Sequence, residues 1–402
     1  MALIPLDKMK QYMEISNAAE MLLTHPEKEI KFSLNLKIAP NTIICHDAYV
    51  IYHNVVLGPA KGGIRFSPTV TVDETRKLAE IMTYKNALMR IPFGGGKSGV
   101  CIDPYALDDF RKVAVVKEFV HMIREELVAG HYVPAPDMGT TPTDMAVIYG
   151  ELHKSECVTG KPVRIGGLPG RLEATGRGVS CATRLGIERI LKRKVAGSKI
   201  AVQGFGNVGR WTAFFLSEMG AKVVAINDRG GSVYNRAGLN VIKLFDYAPT
   251  SRDSVSGFSG SEPISQPDFF GMEVDVLIPA ALENVLNSET APKVRAKLIV
   301  EGANDPTSAD GEKILKKNGI PILPDFFANA GGVVASYIEW RNAKSGNQTS
   351  KQEVFEFIDA KIETIFHEGF TIAKKMKAGY REAFSYIALN ELIKAMEERA
   401  WL

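Results

Sequence analysis

Cysteine is scarce in this chain, with four in 402 residues, at positions 45, 101, 157 and 181. They show neither the close pairs of a zinc site nor the dense spacing of a disulfide framework, so reduced thiols are expected. An excess of one charge sign is equally lacking. Lys and Arg number 49 against 46 Asp and Glu, a formal net charge of +3, with no long basic run. Nucleic-acid proteins carry a clustered basic stripe, so this balance argues against one. No stretch approaches the ~20 apolar residues of a membrane span. The opening Met-Ala-Leu-Ile-Pro-Leu-Asp is too short for the apolar core of a signal peptide. The expectation is a cytoplasmic protein that engages neither membrane nor nucleic acid. What remains is ordinary globular material, 45% hydrophobic and 24% charged, enough for more than one core. At roughly 150 residues per domain the length suggests two or three. Glycine is the one mild excess, at 36 residues, and its placement proves more informative than its number.

Residues 29–38, EIKFSLNLKI, alternate strictly, with Ile30, Phe32, Leu34, Leu36 and Ile38 on one face. This pattern predicts a half-buried strand with one wet face. A second β run follows from Tyr49 to Leu57. Thr71-Val72-Asp73-Glu74 reads as a capping box opening a helix that runs to about Arg90. From Ser198 the character changes. SKIAVQ, AKVVAIN, VDVLIP and AKLIVEG are short, nearly continuous apolar runs, the signature of a parallel sheet covered on both faces. Polar, glycine-rich stretches at 164–178 and around 329–332 bound this α/β region. Helical stripes follow, Val354, Ile358, Ile362 and Ile365, then Leu389, Ile393 and Met396. The Ser/Gly/Pro-rich stretch 250–267 reads as a loop.

Gly204-Phe205-Gly206-Asn207-Val208-Gly209 directly follows SKIAVQ and opens a helix of about 12 residues. A second strand ends at Asp228, 24 residues beyond Gly204. In that setting the motif is a dinucleotide fingerprint. Its glycines let backbone N–H groups approach a pyrophosphate at the positive end of a helix, and Asp228 is placed to accept hydrogen bonds from the adenosine ribose. Arg229 beside it suits a 2′-phosphate, so NAD and NADP both remain open.

Gly94-Gly95-Gly96-Lys97-Ser98-Gly99 superficially resembles a phosphate-binding P-loop. That motif needs a glycine at 91, where isoleucine stands, and a preceding apolar strand, which is missing. Lys97 is instead a lysine among glycines, where backbone packs closely and water is excluded. Lys85 falls in the stripe of Leu78, Ile81, Met82, Leu88 and Met89, so it either snorkels outward or meets an anion. Lys61, in Gly58-Pro59-Ala60-Lys61-Gly62-Gly63, is a third lysine in a glycine setting, or an ordinary surface-loop residue. Asp137 stands between two prolines and a glycine, presented on a rigid loop or serving as a turn or cap. Clustered ammonium groups would depress one another's pKa and attract a dianion. A neutral lysine is a base toward water, and a charged one polarises a carbonyl.

With these residues in view the chain resembles the glutamate dehydrogenases of the amino-acid dehydrogenase superfamily. GPAKGGIRFSP, TYKNAL, IPFGGGKSG, PAPDMGT, EATGRGV, GFGNVG, PAALENV, EGAN and NAGGVVASYIEW occur in that family's order, from about residue 30 to 340. The resemblance implies an N-terminal α/β substrate-binding and oligomerisation domain over residues 1–170. It implies a Rossmann-type, doubly wound NAD(P)-binding domain over 171–330, and C-terminal helices over 331–402 returning to the first domain. It also implies a homo-oligomer, typically a hexamer, that reversibly deaminates L-glutamate to 2-oxoglutarate and ammonia with hydride transfer to NAD or NADP. By resemblance, Lys97 assists water attack and Asp137 transfers protons. Lys85 holds the α-carboxylate, and Lys61 with Ser336 holds the side-chain carboxylate. Thr175, Asn207 and Asn304 lie near the nicotinamide, and the two domains close to exclude water. Related enzymes for leucine, phenylalanine and valine carry an apolar residue in place of Lys61, so this lysine points to a dicarboxylate. Asp305 departs from the family's usual glycine in the loop after Asn304. The alternatives are a neutral amino-acid dehydrogenase, or a catalytically silent NAD(P)-binding regulatory subunit, which would be expected to lack Lys97 or Asp137.

Overall fold

The alternating segment near the start of the chain forms β1 (Lys28–Ala39), with Leu34 buried and Lys31, Ser33 and Asn35 exposed. The computed structural model describes residues 3–39, 41–250 and 253–402; the side chain of Ile38 and the first two residues of the opening heptapeptide lie outside it. β1 pairs antiparallel with β2 (Thr42–Asn54). That strand begins seven residues before the apolar run at Tyr49 that predicts it. Its exposed first half, Thr42 to Cys45, is recruited by ladder hydrogen bonds to β1, which leave no trace in local hydrophobicity. β3 (Ala60–Phe66), β4 (Gly94–Val100) and β5 (Tyr132–Pro136) complete a five-stranded sheet in the order β1-β2-β4-β3-β5. The glycine-lysine segment is thus itself a strand. β4 pairs antiparallel with β2 and parallel with β3, and β3 pairs parallel with β5.

The two faces of this sheet differ in chemistry. On one, Ile64, Phe66, Val100 and Tyr132 pack with Val116 and Phe119 of the helix Asp109–Met122 and with Met145 and Ile148 of the helix Pro142–Leu152. The other receives the helix Val72–Leu88, whose N-cap Thr71 accepts a hydrogen bond from the Glu74 N–H. This helix buries Thr75, Ala79, Ile81 and Thr83, whereas Leu78 and Met82, expected in its buried stripe, are only half-buried. The cause lies in β4. A Cβ on Gly95 would sit 1.9 Å from the Thr83 hydroxyl oxygen and 2.4 Å from the Ala79 carbonyl oxygen. Glycine lets the helix settle onto the strand through its small, polar side.

The second sheet has the order β12-β11-β10-β6-β7-β8-β9. β6 (Lys199–Gln203), β7 (Lys222–Asp228), β10 (Val276–Pro279), β11 (Leu298–Val300) and β12 (Ile322–Leu323) run parallel, as their continuous apolar character predicts. β8 (Gly231–Tyr234) and β9 (Glu262–Ile264) add an antiparallel edge. β9 falls within the stretch 250–267 expected to be a loop, of which residues 251 and 252 lie outside the described residues. Three residues containing a proline carry no alternation to read, and an edge position tolerates that proline. Ala201, Val224, Leu277, Ile299, Phe269 and Phe270 form part of this sheet's own core.

By packing, one unit comprises Lys10–Arg171, Val333–Val354 and Tyr386–Leu402 around the first sheet. The other comprises Leu172–Gly332 and Phe355–Ser385 around the second, together with the described residues up to Met9. No helix among the described residues is long and apolar enough to cross a membrane, and Cys45, Cys101, Cys157 and Cys181 are free thiols.

Candidate active site

Alternation along β3 puts Lys61, Gly63 and Arg65 on the face that carries the helix Val72–Leu88. β3 sets Lys61 opposite Gly95 and Arg65 opposite Gly99 of β4, so Lys97 falls on that face between them. β5 sets Val133 opposite Lys61 and Ala135 opposite Gly63, and Asp137, just past the strand end, is the next residue in that row. Asp137 Oδ2 accepts a hydrogen bond from Arg65 Nε at 2.9 Å and lies 2.9 Å from Lys97 Nζ. A Cβ on Gly63 would stand 2.7 Å from that of Asp137, so glycine makes room for the ion pair. The Asp137 N–H donates to Thr140 Oγ1 at 2.8 Å, and that hydroxyl donates to the Ile64 carbonyl at 2.8 Å. The carboxylate is therefore held from its own backbone.

The Lys97 side chain is 7% exposed and that of Asp137 22%. Burial pulls the Lys97 ammonium below the ordinary lysine range and Arg65 adds to this, while Asp137 opposes both. Burial pushes the Asp137 carboxyl up, but Lys97 and Arg65 outweigh it and hold it below the ordinary carboxylate range. A charged carboxylate thus touches an ammonium that gives up its proton more readily than usual, a pair suited to proton transfer.

Lys61 is 2% exposed. Burial, then the Arg171 guanidinium, with Lys97 and Lys161 adding, brings its pKa down to about 7, against the pull of Glu339. Burial also lowers Arg171, and its Nε is a buried donor without a hydrogen-bond partner in the protein. Glu339 does not satisfy this pair, because its carboxylate is engaged by Lys161 Nζ at 2.8 Å and by the Gly160 and Lys161 N–H groups. Lys61 and Arg171 therefore form a local surplus of positive charge, the environment a bound carboxylate would neutralise. Ser336 is buried on the helix Gly331–Ser345, one turn before Glu339, and Lys85 is buried near the end of the helix Val72–Leu88. The sequence singles out neither Arg65, although it lies within GPAKGGIRFSP, nor Arg171. Arg65 was legible, once β3 was recognised, as the same-face neighbour of Lys61 four residues on. Arg171 belongs to no periodic pattern and needed the fold.

In the other unit, the turn between β6 and the helix Asn207–Glu218 uses its three glycines differently. Gly204 has φ +100°, and a Cβ there would meet Ala281 at 2.8 Å. A Cβ on Gly209 would lie 1.9 Å from the Gly204 carbonyl oxygen, so that residue fixes helix against strand. Gly206 faces open space, with nothing within 4 Å. A cleft of about 760 Å³ opens there, lined by Gly204, Phe205, Gly206, Asn207, Val208, Asp228 and Arg229 among others. Gln203 also lines it, and its buried Oε1 has no hydrogen-bond partner in the protein. Open space at the middle glycine, helix N–H groups and this acceptor fit a dinucleotide. Asp228 Oδ1 accepts from the Gly230 N–H at 2.8 Å and the Ser254 hydroxyl at 3.0 Å, and Oδ2 from the Val255 N–H at 2.6 Å. It therefore fastens the turn around Ser254 and keeps only part of its acceptor capacity for a ribose. Arg229 is exposed beside it. Thr175 is half-buried on the helix Ala174–Leu185, and Asn304 is exposed in the loop after β11, its Oδ1 accepting from Asn329 Nδ2 at 2.9 Å. Asp305 has φ +48°, a left-handed conformation that aspartate tolerates better than most residues. This accounts for an aspartate where glycine is usual.

Comparison with known proteins agrees with this arrangement. A family model described as Glutamate/Leucine/Phenylalanine/Valine dehydrogenase matches residues 166–400, and one described as Glu/Leu/Phe/Val dehydrogenase, dimerisation domain, matches residues 26–154. The chain is 38% identical over 388 residues to the NADP-specific glutamate dehydrogenase of Saccharolobus shibatae, covering 94% of this chain and 91% of that protein. It is 39% identical over 344 residues to glutamate dehydrogenase A2 of Halobacterium salinarum, covering 84% and 82%. The structure of glutamate dehydrogenase from Peptoniphilus asaccharolyticus superposes with a TM-score of 0.87 at 32% identity, covering 99% of this chain and 98% of that one. The leucine-bound hetero-hexameric enzyme from Thermus thermophilus gives 0.89 at 28%, covering 98% and 95%. Motifs, fold and these matches agree: the chain belongs to the Glutamate/Leucine/Phenylalanine/Valine dehydrogenase family.

Proposed function

We propose that this protein is an NAD(P)-dependent glutamate dehydrogenase, interconverting L-glutamate with 2-oxoglutarate and ammonium. The observation that carries the reading is the surplus of buried positive charge at Lys61 and Arg171. A neutral amino-acid side chain would leave that charge unpaired, whereas a side-chain carboxylate completes it. Lys61, Arg171 and Ser336 hold the distal carboxylate and Lys85 the α-carboxylate. Lys97, in contact with Asp137, activates water in the deaminating direction and polarises the keto group in the other, and Asp137 relays the proton. The bound coenzyme supplies the hydride acceptor. The residues for it are Thr175, Gly204 to Gly209, Asp228, Arg229 and Asn304. Partial engagement of the Asp228 carboxylate, with Arg229 alongside, supports acceptance of either NAD or NADP, and the NADP-specific relative is compatible with the second.

The division of labour follows the chain, with substrate binding and assembly in residues 1–170 and coenzyme binding in 171–330; of the C-terminal helices, Val333–Val354 and Tyr386–Leu402 contribute to the first part, and Phe355–Ser385 packs with the second. The protein acts as an oligomer, a hexamer by analogy with the hetero-hexameric relative, and of identical subunits by the family resemblance. The test is a spectrophotometric assay of NADH and NADPH oxidation with 2-oxoglutarate and ammonium, on the wild type and on Lys61→Leu. Glutamate-direction activity should collapse in the variant while some activity toward neutral amino acids appears. Unchanged glutamate kinetics would sink the assignment. A silent regulatory subunit would oxidise neither coenzyme.

A further inference from the structure

Arg381, second residue of the helix Tyr380–Glu398, is 3% exposed and surrounded by carboxylates. Its Nη2 donates to both oxygens of Glu301, at 2.9 and 2.8 Å. Its Nη1 lies 3.5 Å from Asp325 Oδ1, and its Nε pairs with Glu312 at 3.1 Å. Glu301 and Asp325 are buried and linked to each other, since Glu301 Oε2 accepts the Asp325 N–H at 2.9 Å. Asp325 Oδ2 in turn accepts the Asp305 N–H at 2.8 Å. Glu301 and Asp305 bracket residues 302–304, so one guanidinium from the C-terminal helices holds both ends of the loop that carries Asn304. Asn329 fixes its middle, donating to the Gly302 carbonyl at 3.2 Å as well as to Asn304.

Three carboxylates around one buried guanidinium are a poor device for stability alone, since apolar side chains of similar volume serve as well or better. What such a cluster supplies is direction. A planar fork specifies where two carboxylates stand, which a lysine point charge does not. We infer that Arg381 is a positioning residue for the nicotinamide end of the coenzyme: through Glu301 and Asp325 it sets the geometry of the 302–305 loop and hence the aim of Asn304. The inference rests on the proposed placement of Asn304 at the nicotinamide.

The test compares Arg381→Lys with the wild type in calorimetric binding of two ligands to the intact enzyme. One is reduced coenzyme, and the other is ADP-ribose or its 2′-phosphate, which lacks the nicotinamide and engages only the glycine-turn end. Arg381→Lys should weaken reduced coenzyme about tenfold while leaving the fragment within about twofold. Its kcat should fall more than its KM for 2-oxoglutarate rises. A general loosening of the unit would weaken both ligands by the same factor, and that result, or no change in either, would overturn the proposal. If Arg381→Lys does not accumulate as folded protein, Asp325→Asn keeps the shape and an acceptor for the Asp305 N–H, and carries the same expectation. Asn304→Ala separates the two layers of the argument. Selective loss of coenzyme binding in Asn304→Ala but not in the Arg381 variant would overturn the role of Arg381 alone. No loss in Asn304→Ala would overturn the nicotinamide placement, and the proposal with it.

Discussion

Lys61 links protonation to stability and, in its proposed role, to binding. With its pKa near 7 against an ordinary 10.5, it holds fewer protons in the folded free enzyme than in the unfolded chain across that interval. Its contribution to stability therefore rises as pH climbs from about 7 to 10.5. Well below pH 7 it is unfavourable by something on the order of 5 kcal/mol. A bound carboxylate reverses this by favouring the ammonium form. Binding of 2-oxoglutarate at pH 8 to 9 should consequently take up close to one proton, measured as the dependence of calorimetric heat on buffer ionisation enthalpy. Absence of uptake would contradict the role of Lys61, and Lys61→Leu should abolish it while raising the melting temperature of the free enzyme at pH 7. Asp137 gives a different signature. Asp137→Asn should lower kcat by roughly 10²–10⁴ with 2-oxoglutarate affinity nearly unchanged. Removing the carboxylate also takes away the opposite charge that supports the Lys97 ammonium. The alkaline-forming limb of the pH–rate profile should thus move to lower pH, and a profile that does not move would exclude coupling of the two groups. Glycine and proline around a lone charge mark Lys97 and Asp137 in the sequence as constrained, but their proposed roles come only from the family resemblance. Arg171 is not marked there, because what sets it apart is a buried Nε without a hydrogen-bond partner while the Glu339 carboxylate that acts on it is engaged by Lys161, and that arrangement exists only in three dimensions.

At the scale of the element, the decisive piece is β4, a strand built largely of glycine. Glycine weakens a strand taken alone, so nothing in the propensities of Gly94 to Gly99 announces a strand. Packing overrides propensity here. The missing side chains let the helix Val72–Leu88 approach the sheet and let Gly62 lie against the Gly96 carbonyl, where a Cβ would be only 1.6 Å from the oxygen. Gly95→Ala should therefore destabilise the protein by about 1–3 kcal/mol through overpacking and shift Lys97, with loss of activity larger than the loss of stability. Gly150→Ala is the matched control. Its Cβ would meet nothing within 4 Å in the helix Pro142–Leu152, and it should stabilise by about 0.5–1 kcal/mol. Urea titrations and activity on both variants check the pair, and equal effects would refute the packing argument. The same physics explains the altered stripe of the helix Val72–Leu88: periodicity marks which residues are apolar, but a glycine strand accepts a small polar face instead.

For the whole molecule, the first unit is discontinuous, and a buried ion pair ties its distant segments together. Lys161 and Glu339, 178 residues apart and essentially without solvent contact, meet at 2.8 Å with two backbone N–H groups completing the carboxylate. Glu339→Ala should lower the free energy of unfolding by about 3–5 kcal/mol, because it strands a buried ammonium. Disrupting the exposed pair Lys313–Asp310 should change it by less than about 1 kcal/mol. Denaturant titration distinguishes the two, and comparable losses would show that the buried pair fastens nothing. The sequence by itself determined the α/β class, the parallel order of the apolar strands, the dinucleotide turn and the lysines worth watching. Those depend on local periodicity and on residue types whose backbone preferences act over a few positions. The tertiary structure decided that the glycine string is a strand, that β8 and β9 close an edge, and that Arg65 completes the Asp137 site. It also decided that Arg171 leaves a charge unmet beside Lys61 and that Arg381 grips the loop of Asn304. Each of these depends on the field or the steric limit imposed by residues far away in the chain, and no local pattern encodes a distance.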